Sequence, residues 1–88
     1  MKIAKSKIQK IILNYLFKES VKKKIKVNFN LEKIDFIEKE IIDSLGFLTL
    51  ISHLEKKLNA EIDLSDKNPD NLTKAEKLAN IIYKKLNK

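Results

Sequence analysis

Ile3, Ile8, Ile11, Ile12, Tyr15 and Leu16 recur at three- and four-residue steps, while Lys5, Lys7, Lys10 and Lys18 fall mostly off that face. The spacing predicts an amphipathic helix from Lys2 to about Lys18, broken by Glu19-Ser20 and the Lys22-Lys23-Lys24 run. A second stripe is stronger. Leu45, Leu48, Ile51, Leu54 and Leu58, widened by Phe47 and Leu50, predict a helix from Ser44 to about Leu58, ended by Asn59. Thr73-Lys74-Ala75-Glu76 reads as a capping box with Thr73 as N-cap. It opens a last helix to about Leu86, whose inner face is Ala75, Leu78, Ala79, Ile82 and Leu86, with Ile81 beside it.

The connections are less regular. Lys26 to Leu31 alternates polar and apolar like a short strand, yet no second strand of similar quality exists to satisfy its backbone. Residues 20–43 therefore read as a long ordered loop, pinned by Val27, Phe29, Leu31, Ile34, Phe36, Ile37, Ile41 and Ile42. Residues 60–72 are rich in Asp and Asn, with room for one short helical turn after Pro69. The fold class expected is all-α: a small four-helix bundle of three main helices and one short one, with a long loop after the first.

Composition narrows the function. At 88 residues the chain is one domain, residues 1–88, too small for a two-lobed active site. Cysteine is absent, which excludes disulfides, thiolate metal sites and cysteine nucleophiles, and fits a reducing, cytoplasmic setting. The single histidine, His53, pairs with no nucleophile in the pattern, and the Glu38/Glu40 and Asp63/Asp66 pairs lie in loops; no metal site and no enzyme follows. No apolar run approaches the roughly 18 residues needed to span a bilayer, and the N-terminus lacks the apolar core of a secretory signal. A monomer is expected.

Charge is unevenly distributed. Residues 1–26 hold nine Lys and one Glu, residues 27–73 five Lys and ten acids, and residues 74–88 five Lys and one Glu. The net +7 is thus basic at both ends and acidic in the middle. All 19 basic residues are Lys, whereas base readout and bidentate phosphate contacts favour Arg, so a specific nucleic-acid role is disfavoured. A small Lys-rich nucleic-acid binder stays as the reading from another class. The Lys22–Lys24 run reads as a solvated turn, with contact to an anionic membrane or partner as its alternative.

Candidate chemistry centres on Ile42-Asp43-Ser44-Leu45-Gly46. Ser44 starts a helix, where free N–H groups and the positive dipole end favour an attached anion. Asp43 could cap that helix. Gly46, the only glycine, sits in a first turn where it costs up to ~1 kcal/mol relative to Ala, so something should approach the backbone there. Asp-Ser before an apolar helix is also what any N-cap looks like.

From Ile41 to Ile82 the chain resembles the acyl carrier protein family. The resemblance rests on Ile41-Ile42-Asp43-Ser44-Leu45-Gly46-Phe47-Leu48, Leu50-Ile51, Leu54-Glu55, Ala60-Glu61-Ile62 and Pro69-Asp70-Asn71-Leu72-Thr73. It implies a four-helix bundle in which Ser44 carries covalent 4′-phosphopantetheine, with Asp43, Leu45 and Gly46 as flanking recognition residues. The implied partners are a phosphopantetheinyl transferase and acyl-activating, acyl-transferring or synthase enzymes, in fatty-acid or specialised lipid and natural-product biosynthesis. An aminoacyl or D-alanyl-type carrier loaded by an adenylating ligase is the alternative within the family. Leu48, Ile51, Leu54, Ile62 and Leu78 would line the shelter for an acyl chain. One departure stands out: the family's usual acidic second helix is replaced by outward positions Gly46, Thr49, Ser52, Lys56 and Lys57, with Glu55 the only acid.

Overall fold

Two helix ends in this chain close on a left-handed residue that is not glycine, and those ends set where the long loop begins and the second helix stops. The computed structural model describes residues 3–28 and 30–87. Among them are three α-helices, α1 (Lys5–Lys22), α2 (Ser44–Leu58) and α3 (Ala75–Leu86), and no strand. A single 3₁₀ turn spans Pro69–Asn71, where the short fourth helix was expected. The expected helix start at Lys2 and the expected loop anchor Phe29 lie outside the described residues.

Helix α1 runs past the predicted break at Glu19-Ser20. Ser20 is fully buried, and its hydroxyl donates to the Phe17 carbonyl at 2.7 Å, so a polar residue is satisfied inside the helix rather than ending it. The stop comes at Lys24, whose φ of 57° turns the chain. Ile25 N–H then donates to the Ser20 carbonyl at 2.9 Å, and Lys24 N–H to that of Val21 at 3.1 Å. This is the six-to-one, five-to-two closure of a Schellman cap. Asn59 (φ 50°, ψ 51°) ends α2 by similar geometry, as its residue type suggested.

α1 packs against both α2 and α3. The shared core takes Ile8, Ile12 and Leu16 from α1, Leu50, Leu54 and Leu58 from α2, and Ala75, Leu78, Ala79 and Ile82 from α3. The α3 face matches the periodicity. The α2 face does not: Leu45 is 74% exposed and Leu48 62%, and the buried stripe runs through Leu50, Leu54 and Leu58, with Phe47 and Ile51 half-buried. Leucine repeats on α2 span more than half the helix circumference, and only the position of α1 chooses which part is covered. Phe17 is 54% exposed, on the outer side of α1.

The long loop is folded onto the bundle. Phe36, Ile41 and Ile42 are buried; Leu31, Ile34 and Ile37 pack against the core from partial burial, while Val27 stands exposed. Asp35 caps a single turn, its Oδ1 accepting from Ile37 N–H and Glu38 N–H, both at 3.0 Å. Phe36 N–H donates to the Thr73 carbonyl at 2.9 Å and Glu76 N–H to the Glu32 carbonyl at 3.2 Å, so the loop is stitched to the start of α3. That stitching displaces the predicted capping box. α3 begins after Lys74 with no side-chain cap, and Thr73 turns its hydroxyl to Asp35 instead. The Cα radius of gyration is 12.3 Å, close to the ~12 Å of a compact chain this long, which requires the loop to lie on the helices.

Candidate functional site

Ser44 is the first residue of α2, exposed, and preceded by Asp43 in an extended conformation. Asp43 Oδ1 accepts from Gly46 N–H at 2.7 Å, and Phe47 N–H donates to the Asp43 carbonyl at 2.8 Å. Asp43 is therefore the N-cap, one of the two roles open to it. Its carboxylate already occupies part of the anion-favouring field at this helix end, so the dipole by itself does not mark Ser44 as a phosphate site.

Gly46 owes its place to the chain's own packing. A Cβ there would stand 3.0 Å from Ile42 Cβ and 3.2 Å from Asp43 Oδ1. Ile42 is anchored in the core, and Asp43 must reach over the first turn to cap it. The close approach expected at Gly46 is thus supplied from within the protein.

Two hollows meet at Ser44. One, of about 350 Å³, is lined by Ile37, Phe47, Leu48, Leu72 and Thr73 as well as Ser44, and is mainly apolar. The other is lined by Lys23, Ile37, Glu40, Ile42, Asp43 and Ser44. Of the side chains expected to shelter an acyl chain, only Leu48 borders the apolar hollow; Leu54 and Leu78 are fully buried core residues. Ile37, Leu72 and Lys23 were not marked as site residues by the sequence. Each lies in a loop or at a helix end, and no periodicity shows which of them will be brought to Ser44.

Lys23 Nζ donates to the Ile41 carbonyl at 2.6 Å, so a lysine from an apparent solvated turn holds the last stretch of loop before the serine. Phe36 and Phe47 stack with ring centroids 6.3 Å apart, fixing the loop against the first turns of α2. His53 lies across from Tyr15, centroids 5.4 Å apart, away from the residues around Ser44. Burial is the main cause that raises the Tyr15 pKa, with the neighbouring Glu19 charge adding to it.

Several of the acids flanking Ser44 in sequence are engaged in structure. For Asp35, burial pushes its pKa upward, but hydrogen bonds from Glu38 N–H, the Thr73 hydroxyl and Ile37 N–H, with the Lys74 charge, outweigh it and hold the carboxyl below the usual value. Asp66 is lowered chiefly by its hydrogen bond from Lys85 Nζ at 2.8 Å, and Asp63 by that from Ser65 N–H. Glu55 Oε2 accepts from Ile62 N–H at 2.9 Å. The only acid of α2 is thereby tied to the following loop. The exposed face of that helix runs from Ser44, Leu45 and Leu48 through Thr49 and Ser52 to Lys56 and Lys57.

No protein-family model, curated protein or solved structure matches this chain. No helix among the described residues is long and apolar enough to cross a membrane.

Proposed function

We propose that this chain is a carrier protein in which Ser44 holds 4′-phosphopantetheine, with the three helices and the Pro69–Asn71 turn corresponding to the four-helix carrier bundle. The observation that carries the reading is the placement of Ser44: an exposed hydroxyl at the first turn of α2, on the rim of an apolar hollow of about 350 Å³. The residues present fit the group. An exposed serine at a capped helix start is accessible to a modifying enzyme, and Ile37, Phe47, Leu48 and Leu72 offer apolar surface beside it. When bound, the group supplies a terminal thiol that carries acyl groups as thioesters.

The chain's own residues do the presenting. Asp43 caps and rigidifies the turn that carries Ser44, and Gly46 lets that cap close. Leu45 and Leu48 stand exposed next to the serine, where a transferase or synthase must make contact. Lys56 and Lys57 further along the helix favour partners with acidic rims.

The test is modification. Purified protein incubated with coenzyme A and a promiscuous phosphopantetheinyl transferase should gain the mass of one phosphopantetheinyl group. Ser44→Ala should keep its helix content and gain none; a mass gain on that variant, or none on the parent, overturns the reading. The mass of the group found on Ser44 after native purification separates acyl from aminoacyl cargo.

A further inference from the structure

The outer face of α1 carries two large apolar side chains that the other described residues leave more than half exposed. Phe17 is 54% exposed and Val21 60%. They are four residues apart, so they lie side by side on one helical face. Lys10 precedes them on the same face by two turns, and Lys18 and Lys22 flank them, all exposed. Lys24 follows at the left-handed cap. Two carboxylates adjoin these lysines: Glu19, half-buried, pairs with Lys22 at 3.3 Å, and Glu32 lines a hollow with Lys10.

We infer that this face docks on an anionic lipid bilayer, with Phe17 and Val21 entering the interface and the surrounding lysines meeting lipid phosphates. Charge complementarity carries the assignment. Residues 1–26 hold nine Lys against one Glu, whereas residues 27–73 hold five Lys and ten acids. Lysines on flexible stems suit a diffuse anionic surface, whereas discrete phosphate or base recognition favours the arginine fork. The geometry agrees. A convex helix face with an apolar pair between cations is the form of an interfacial helix, and an apolar pair has no use against a nucleic-acid backbone.

The patch lies toward the C-terminal end of α1, the end that meets the Ser44 region. Lys23, next to Lys22, reaches the Ile41 carbonyl and lines a hollow together with Ser44. A protein held by this face would keep the serine end of the bundle near the lipid. The docking itself does not depend on Ser44 being modified, so its test uses the unmodified chain and stands apart from the carrier assay.

Phosphatidylcholine vesicles with and without about one-third phosphatidylglycerol serve as probes in co-sedimentation at low and physiological salt. The parent should bind the anionic vesicles and not the neutral ones. Phe17→Ser with Val21→Ser should weaken binding at least about tenfold, as should Lys18→Ser with Lys22→Ser. Lys77→Ser with Lys84→Ser on α3 removes the same charge elsewhere and should change binding less than about threefold. The chain has no Trp, so Phe17→Trp places a single reporter in the patch. Its emission should shift to the blue on anionic vesicles, and it keeps the test open if the serine variants fail to fold. The proposal is overturned by absence of binding, by equal binding to neutral vesicles, or by loss that follows net charge alone. Tighter binding to duplex DNA, indifferent to Phe17 and Val21, overturns it as well.

Discussion

The Thr73 hydroxyl donates to Asp35 Oδ2 at 2.8 Å, joining the long loop to the start of α3 across 38 residues of sequence. The same carboxylate accepts two backbone N–H groups through its other oxygen, so one side chain caps a loop turn and docks that turn on a helix. Phe36 N–H and the Thr73 carbonyl close the same junction from the backbone side. Phe36 packs beneath and stacks on Phe47 in the first turn of α2. The order of the Ser44 region is therefore linked to this junction.

Removing the hydroxyl by Thr73→Val should cost about 1 kcal/mol, and Asp35→Ala about 2–3 kcal/mol, because the latter leaves several donors without their acceptor. Urea unfolding of the two variants measures both. Equal losses for the two would show that the backbone turn does not need Asp35.

Asp35 also sets an expectation for acid. Its pKa is held below the usual value in the folded state, and an unfolded aspartate titrates near about 3.9. A depressed folded value means that its stabilising contribution is present above the unfolded pKa and lost as pH falls through the folded one. Asp66, lowered by Lys85, acts in the same direction, though it is exposed and screened by salt. Unfolding free energy should thus fall below about pH 4, and Asp35→Asn should flatten that decline while lowering stability at neutral pH. A thermal-melt series across that range reads the slope directly.

The cap at Ser44 predicts two contrasting substitutions. Asp43→Ala should destabilise by about 1 kcal/mol through loss of the bond to Gly46 N–H. Gly46→Ala would normally gain from helix propensity. Here its Cβ meets Ile42 and Asp43 at 3.0 and 3.2 Å, so a net loss of about 1 kcal/mol is expected instead. A rise in melting temperature for Gly46→Ala would show that Ile42 yields.

Exposure along α2 separates neighbours that look alike in sequence. Leu54→Ala should cost about 2–5 kcal/mol, whereas Leu48→Ser should stay within about 0.5 kcal/mol of the parent. The prediction for Leu48 on partner contact is the opposite: slower modification of Ser44 by the transferase, at unchanged stability. Denaturation and modification rates on the same samples separate the two effects.

Much of the helical content could be read from residue order, because periodicity and caps are local. The α3 core face, the Asn59 stop and the Asp43-Ser44 helix start each depend on residues within a few positions of one another. Ser44 itself was found this way. The resemblance rests on residues around it.

What tertiary structure decided is everything that depends on residues far apart meeting. Ser20 lies inside α1 and is fully buried by the rest of the bundle, its hydroxyl satisfied by the Phe17 carbonyl one turn back, which the break in pattern did not reveal. Thr73 leaves its predicted capping role because Asp35, distant in sequence, offers a charged acceptor. Leu45 and Leu48 are left outside because α1 covers only one side of a helix that is apolar around much of its circumference. By itself the sequence determined three amphipathic helices and a serine at a helix start, since these follow from local spacing and capping. Which side of α2 is dry, and which loop residues stand beside Ser44, followed only from packing, since burial belongs to pairs of surfaces and not to a position in one.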